Sequence, residues 1–264
     1  MTTGEDLYLN ANQPTGNAAW LVAQLCLAIA LADAIAGLFA GIGYRLDLWD
    51  YRDGIGALLY VAWLAVGNCF AAGAAAIAGV ATKRVGAIFV GSLALVIAAI
   101  TFYIPWNLRE VIRSVPPIHD ITTDTDNPPQ FILITGTRRK TDHPLRYDGP
   151  EVAALQKKGY PDIAPIVVRA PPGKVFEASR QVLAGMGLEI IDAEPIQGRI
   201  EATDRSLLFG FEDDVVLRIV PGADGTTKVD MRSKSRVGRS DLGINAGRIR
   251  EFGAALRRKL QLSG

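Results

Sequence analysis

Three long apolar stretches crowd the opening part of this chain: about Ala18 to Tyr44, about Ile55 to Thr82, and about Val85 to Trp106. A bilayer core of about 30 Å is crossed by about 20 apolar residues in a helix. Each stretch meets that length. Backbone polar groups in lipid must be paired within their own segment, so the runs are read as transmembrane helices. Trp20, Trp49, Tyr51, Tyr103 and Trp106 stand near the ends of the runs, where interfacial aromatic residues gather. The expected organisation is a membrane region over residues 1–106, a Pro- and Asp-rich arm over 107–165, and a soluble domain over 166–264.

Charge divides the chain in the same place. Only Arg45, Lys83, Arg84 and Arg52 precede Asn107, and the other 24 of the 28 basic residues follow it. The formal net charge of +1 is therefore an average over an apolar part and a heavily charged part. Cys26 and Cys69 both lie in apolar runs, where a thiol behaves as a small hydrophobe, so cysteine says nothing of compartment. The first residues carry Glu5 and Asp6 but no Lys or Arg, unlike a cleavable signal peptide, so the first helix is expected to stay.

Two polar residues interrupt the helices, Asp33 in the first and Asn68 in the second. They lie at similar depth, and a carboxylate in hydrocarbon seeks a partner, so an Asp33–Asn68 contact that fixes helix register is expected. An ion or proton site is the sharper alternative. The run Ala71-Ala72-Gly73-Ala74-Ala75-Ala76 suggests close helix packing.

The arm is punctuated by Pro116-Pro117, Pro128-Pro129, Pro144, Pro150, Pro161 and Pro165. It is expected to lie extended over the following domain, with a short strand at Phe131 to Thr135 and a short helix at Glu151 to Lys158. Beyond it, Ile166 to Arg169 reads as a strand. Pro172-Gly173 opens a helix that Gly187 stops. Strands follow at Leu188 to Ala193, Gly198 to Arg205, Asp213 to Val220 and Lys228 to Val237, then a helix from about Asp241 to Leu260. The expected fold class is a soluble α+β domain behind three membrane helices, its antiparallel sheet of about four or five strands carrying two helices on one face.

Alternation along the last strand puts Asp230, Arg232, Lys234 and Arg236 on one face. From Lys228 to Lys259 there are ten basic residues against three acidic ones. One reading is internal pairing, with Asp214 bound to Arg232 or Arg236 and Asp241 capping the last helix. Another is an anion or partner site, for a lipid headgroup or an envelope polyanion, built on guanidinium forks beside a helix start. A nucleic-acid surface would need a cytoplasmic domain and lacks interleaved aromatic residues, so no nucleic acid is expected. A hydrolase centred on Asp213 or Asp214 is the catalytic alternative, though no nucleophile with a histidine partner is visible. His119-Asp120 with Asp124 and Asp126 lacks the glycine and distal glutamate of a calcium loop. No nucleotide loop or zinc spacing occurs, and neither metal nor cofactor is expected.

The stretch Arg232-Ser-Lys-Ser-Arg-Val-Gly-Arg-Ser-Asp-Leu-Gly-Ile-Asn-Ala-Gly-Arg-Ile-Arg250 is distinctive. With Gly198-Arg-Ile-Glu-Ala202 and Gly210-Phe-Glu-Asp-Asp-Val215, it resembles the domain of unknown function family 1499 from roughly Ile118 to Leu260. The resemblance implies no particular activity. It does imply a domain of the bacterial envelope behind a membrane anchor; a plant relative lies in the thylakoid lumen. Many relatives open the domain with a Cys-Pro-x-x-Pro-Asn-Cys type segment, where this chain has Asp124-Thr-Asp-Asn-Pro-Pro129, so a thiol-dependent role is not carried over. A shared site would fall at Arg232, Lys234, Arg236, Arg239, Asp241, Asn245 and Arg248.

Orientation draws two opposite arguments. Arg45, Arg52, Arg109 and Arg113 lie on the side of the soluble domain and Lys83 and Arg84 on the other, a count that favours a cytoplasmic domain. The resemblance implies the reverse, and the expectation taken forward is a multi-pass protein of the bacterial inner membrane with a periplasmic domain.

Overall fold

The computed structural model describes residues 14–262. The chain divides into two compact units, Met1–Glu110 with Leu208–Gly210, and Val111–Leu207 with Phe211–Gly264.

The first unit is built from α1 (Pro14–Arg45), α2 (Tyr51–Ala81) and α3 (Val85–Ser114). All three are long and apolar enough to cross a membrane. Small residues make the helix contacts: Ala23, Cys26 and Ala30 on α1, Ala65, Ala72 and Ala75 on α2, and Ala87, Ala94 and Ala98 on α3 are buried. Gly79 and Gly91 bring α2 and α3 so close that an added Cβ would meet backbone of the other helix at 2.8 and 3.0 Å. Bulky side chains point away instead; Tyr60, Trp63, Phe70 and Phe89 are all exposed. Helices that associate in lipid show this arrangement, because lipid chains solvate large apolar groups as well as another helix does. Three boundaries differ from expectation, and α1 begins at Pro14 rather than near Ala18. The Asp50 side chain accepts from the Arg52 N–H and caps α2 at Tyr51, and α3 continues through Pro105 to Ser114.

The second unit is an α+β fold around a six-stranded antiparallel sheet. Its strands are β1 (Asp120–Thr122), β2 (Ile166–Val168), β3 (Glu189–Glu194), β4 (Arg199–Arg205), β5 (Glu212–Pro221) and β6 (Thr227–Ser235). The order is β1-β6-β5-β4-β3, with β2 sharing the outer edge of β6 with β1. Helices α4 (Pro150–Gly159), α5 (Pro172–Gly185) and α6 (Ile244–Leu262) complete it. The β3–β4 turn depends on Gly198, whose φ is +63° and whose added Cβ would lie 2.1 Å from the Ile219 carbonyl; only glycine fits there.

One face of the sheet carries the apolar core. Ile200 and Ala202 of β4, Val215, Leu217 and Ile219 of β5, and Val229 and Met231 of β6 pack against Val175, Val182 and Leu183 of α5 and Ile249, Phe252 and Leu256 of α6. Strand periodicity sends the intervening residues to the opposite face. The arm covers that face, and it also supplies β1 and α4. Its predicted strand at Phe131 to Thr135 does not form. The Ile132, Leu133 and Ile134 N–H groups converge on the buried Glu201 carboxylate at 2.7, 3.0 and 2.8 Å, and a 3-10 turn follows at Ile134–Thr137.

Candidate functional site

The site expected from sequence is the basic row on β6 and the start of α6. Register settles its geometry, because Lys234, Arg232 and Asp230 of β6 lie opposite Asp214, Val216 and Arg218 of β5. The row is therefore one patch of a face that the arm closes over, and Arg232 and Lys234 are both fully buried.

Every cation in the row has an internal anion. Arg232 grips Asp120 with two parallel bonds of 2.9 and 2.8 Å, donates to the Pro129 and Leu145 carbonyls, and lies over the rings of Phe131 and Tyr147 at 5.0 and 5.4 Å. A planar guanidinium that bonds a carboxylate with two parallel bonds and also stacks on aromatic rings is a role that lysine cannot fill. The three Lys234 Nζ bonds, each 3.0 Å, reach Asp120, Asp148 and the Arg146 carbonyl. Arg236 binds Asp214, Glu212 and Thr137, and Arg138 from the arm meets the same Asp214. At the next position along the row, Arg218 and Lys228 share Asp230 and Asp124.

The helix start is equally closed. Asp241 accepts from the N–H groups of Gly243 and Asn245 at 3.0 and 2.9 Å and so caps α6. Burial pushes its carboxyl above the usual range, and Asp213 adds to this. Asn245 accepts from Ser233 and Arg248 and donates to Ser235 and the His119 carbonyl. Arg248 reaches across to Asp204 and Asp213. Thus Arg232, Lys234 and Arg236 are brought together in a sealed ionic layer under the arm, while Asp241, Asn245 and Arg248 form a separate buried cluster on the α6 side of the sheet. Arg239 is the exception, exposed to solvent in the β6–α6 turn. Lys140 and Arg146 of the arm are exposed as well. The hydrolase alternative finds no open carboxylate: Asp214 is fully buried between Arg138 and Arg236, and Asp213 is engaged by Arg248 on the other side of the sheet.

Sequence reasoning did not foresee that the two histidines meet. His119 and His143 stack with ring centroids 4.0 Å apart. Burial, then His143 and Lys234, push His119 down to about 4, against the opposite pull of Asp148 and Asp120. No spacing rule links residues 24 positions apart in an irregular arm; only the tertiary path does. Two grooves also border α4. One of about 390 Å³ is lined by Asp124, Asp126, Gln156, Lys157 and Tyr160, and one of about 700 Å³ by Gln130, Arg146, Tyr147 and Lys157. Among the described residues no metal-binding group of three or more His, Cys, Asp or Glu side chains converges.

In the membrane unit Asp33 and Asn68 are both buried. Their expected contact is replaced: Asn68 Nδ2 donates to the Cys26 carbonyl at 2.9 Å, and Asp33 Oδ2 has no hydrogen-bond partner among the described residues. An amide side chain reaches an under-used helix carbonyl on the neighbouring helix as readily as it reaches a carboxylate.

Residues 120–256 match the family described as "Protein of unknown function (DUF1499)". The match begins at β1 and ends within α6, so it takes in Asp120, the covering segment and the whole basic row. No curated protein matches the chain.

Proposed function

We propose that this chain, which belongs to the family described as "Protein of unknown function (DUF1499)", is a membrane-anchored binding protein whose α+β domain recognises an anionic component of the bacterial envelope. The observation that carries this reading is the division of the cations into two sets. The buried set is neutralised internally and holds the arm in place. Of the exposed cations, Lys140, Arg146 and Arg239 stand on the part of the arm and the β6–α6 turn that lie together. These two segments are tied together, since the His143 N–H donates to the Arg236 carbonyl at 2.7 Å and His143 Nε2 lies 2.9 Å from the Gly238 carbonyl. A rigid frame that presents cations on adjoining segments suits a phosphate- or carboxylate-bearing ligand. Placement of the domain on the outer side of the inner membrane follows from the envelope setting that the resemblance implies.

The test uses the full chain in neutral-lipid nanodiscs, with vesicles containing or lacking phosphatidylglycerol and, separately, soluble polyphosphate as probes. Each Lys or Arg near an anionic surface contributes about 1 kcal/mol, so alanine at all three positions is expected to weaken retention roughly 100-fold. Added salt is expected to weaken the native protein in the same direction. Retention by vesicles alone identifies a lipid headgroup, and retention of polyphosphate a polymer. Binding that the triple variant leaves unchanged, or no binding to either probe, overturns the proposal. Alkaline phosphatase and a fluorescent protein, fused separately after Leu260, test the side: high phosphatase with a dark fluorophore is expected, and the reverse pattern removes the outward placement.

A further inference from the structure

We propose that the stacked His119–His143 pair is an acid-sensitive clasp, which holds the segment 138–148 over the ionic face while the His119 ring is neutral and releases it when that ring takes up a proton. The two rings are anchored unequally. His119 directly precedes β1, and its carbonyl accepts from the Ser235 N–H at 2.9 Å and from Asn245 Nδ2 at 3.2 Å. It cannot shift without disturbing β6 and α6. His143 is carried by the irregular covering segment, which is held to the β6 end by its bonds to the Arg236 and Gly238 carbonyls and by the Arg138 guanidinium on its own carbonyl. Under repulsion the covering segment is the part that gives way.

The charged surroundings make protonation of His119 costly. His119 faces Lys234, Asp120 and Asp148, with its Nε2 3.4 Å from an Asp148 oxygen and without a hydrogen bond. The His143 backbone binds the Arg138 guanidinium and the Arg236 carbonyl, and Asp142 precedes it in the chain. A proton on His119 would stand beside the buried Lys234 ammonium, on a ring stacked 4.0 Å from His143, with Asp148 and Asp120 as its counter-charges. Burial already holds the His119 ring neutral down to about pH 4, so the native contact favours the deprotonated His119 ring.

Release has a specific consequence. Leu145 and Arg146, on the segment that lifts, supply carbonyls to Arg232 and Lys234, and Asp148 supplies a carboxylate. Their departure strips these two buried cations of part of their shell and opens them to water or to an anion. This inference does not rest on the binding proposal, and its test needs no ligand.

Hydrogen exchange of the full chain in nanodiscs, corrected for the intrinsic pH dependence, reads the clasp directly. Between about pH 7.5 and about pH 4.5, protection of amides in 138–148 is expected to fall by roughly tenfold while β4 and β5 amides hold theirs. The double variant His119→Gln/His143→Gln is expected to remove that pH dependence. Unchanged protection of the segment overturns the clasp. So does a fall that the double variant reproduces, which assigns it to Asp120 or Asp148, and so does parallel loss in β5, which marks general unfolding. A second variant, His119→Phe, guards against misfolding of the double one: it keeps a stackable ring and is expected to hold protection at low pH.

Discussion

The two faces of the same sheet are sealed by opposite chemistries. Toward α5 and α6, apart from the Ser233–Asn245–Arg248 cluster at the start of α6, the layer is aliphatic and aromatic, with Leu217, Met231, Phe252 and Leu256 fully buried. Toward the arm, the fully buried positions on β5 and β6 include Asp214, Asp230, Arg232 and Lys234. An apolar layer is non-directional and holds by excluded water. An ionic layer holds only while each charge keeps its partner, because its desolvation cost is repaid by geometry alone. The first face therefore tolerates exchange of shape for shape, whereas the second is a set of addresses. It specifies where Asp120, Arg138, Asp148 and the Pro129 carbonyl must sit, and hence the path of an arm that has little regular structure of its own.

The sharpest way to break the comparison is to remove one partner on each face. Asp120→Ala leaves both Arg232 and Lys234 without their shared carboxylate in a site closed to water. Stranding buried charge costs about 3–5 kcal/mol, and with two cations affected the upper part of that range is expected. Leu256→Ala opens a cavity under α6 and is expected to cost about 3 kcal/mol. Pulse proteolysis of the full chain against denaturant ranks the two. If the leucine change proves the more damaging, the ionic face is ornamental to stability and the contrast fails.

Glu201 is expected to matter less, though it too is fully buried. Its carboxylate gathers three backbone N–H groups and lies 3.2 Å from Arg199 Nε. Glu201→Gln keeps the shape but loses the charge and one acceptor oxygen. A loss of about 2 kcal/mol is expected, from the strength of hydrogen bonds to charged groups. Amides 132–134 should lose exchange protection before those of β4. Equal loss in both would show that this loop is not separately pinned.

How much of this was legible beforehand follows the same division. The apolar face was, because its signal is local. Period-two alternation located β3 to β6, and the helical stripe Ile249, Phe252 and Leu256 located the buried side of α6. The three membrane helices were legible for the same reason, though α3 runs past Trp106 to Ser114. Alternation also placed Arg232, Lys234 and Arg236 on a common face, but it could not say whether water or protein covers them. That depends on Asp120, which is 112 residues from Arg232 in sequence. The arm's Pro-rich, aperiodic sequence carries no signal for where it lies, so β1, the Glu201 nest and the histidine stack were out of reach.

The His119 ring gives the comparison a pH axis. Its folded value, about 4, lies below the ordinary 6.5. The unfolded chain therefore binds a proton between those values while the native fold does not, and native stability rises with pH there. The contribution is fully present above about pH 6.5 and is lost as pH falls toward 4. The shift alone corresponds to about 3 kcal/mol, which screening at a ring still 16% exposed reduces to about 2 kcal/mol. His119→Gln is expected to flatten this part of the stability profile. Leu256→Ala, by contrast, should lower the whole profile without changing its slope. A slope that survives in His119→Gln would assign the acid sensitivity to the buried carboxylates instead.

The smallest effect is expected where an ion pair lacks a seal. Arg248 and Arg250 are two residues apart on α6, and each binds carboxylate through its guanidinium. Arg248 is buried against Asp204 and Asp213, whereas Arg250 and Asp162 are both about half exposed. The Arg250 pair is well formed, with bonds of 2.6 and 2.8 Å and the Tyr160 ring 5.5 Å below. Good geometry in water still contributes little, because solvent and salt screen the charges and two long side chains must be ordered. Arg250→Ala is thus expected to cost less than about 1 kcal/mol and to cost less still in high salt. A larger, salt-independent loss in denaturant melts would mean that geometry rather than exclusion of water gives the ionic face its strength.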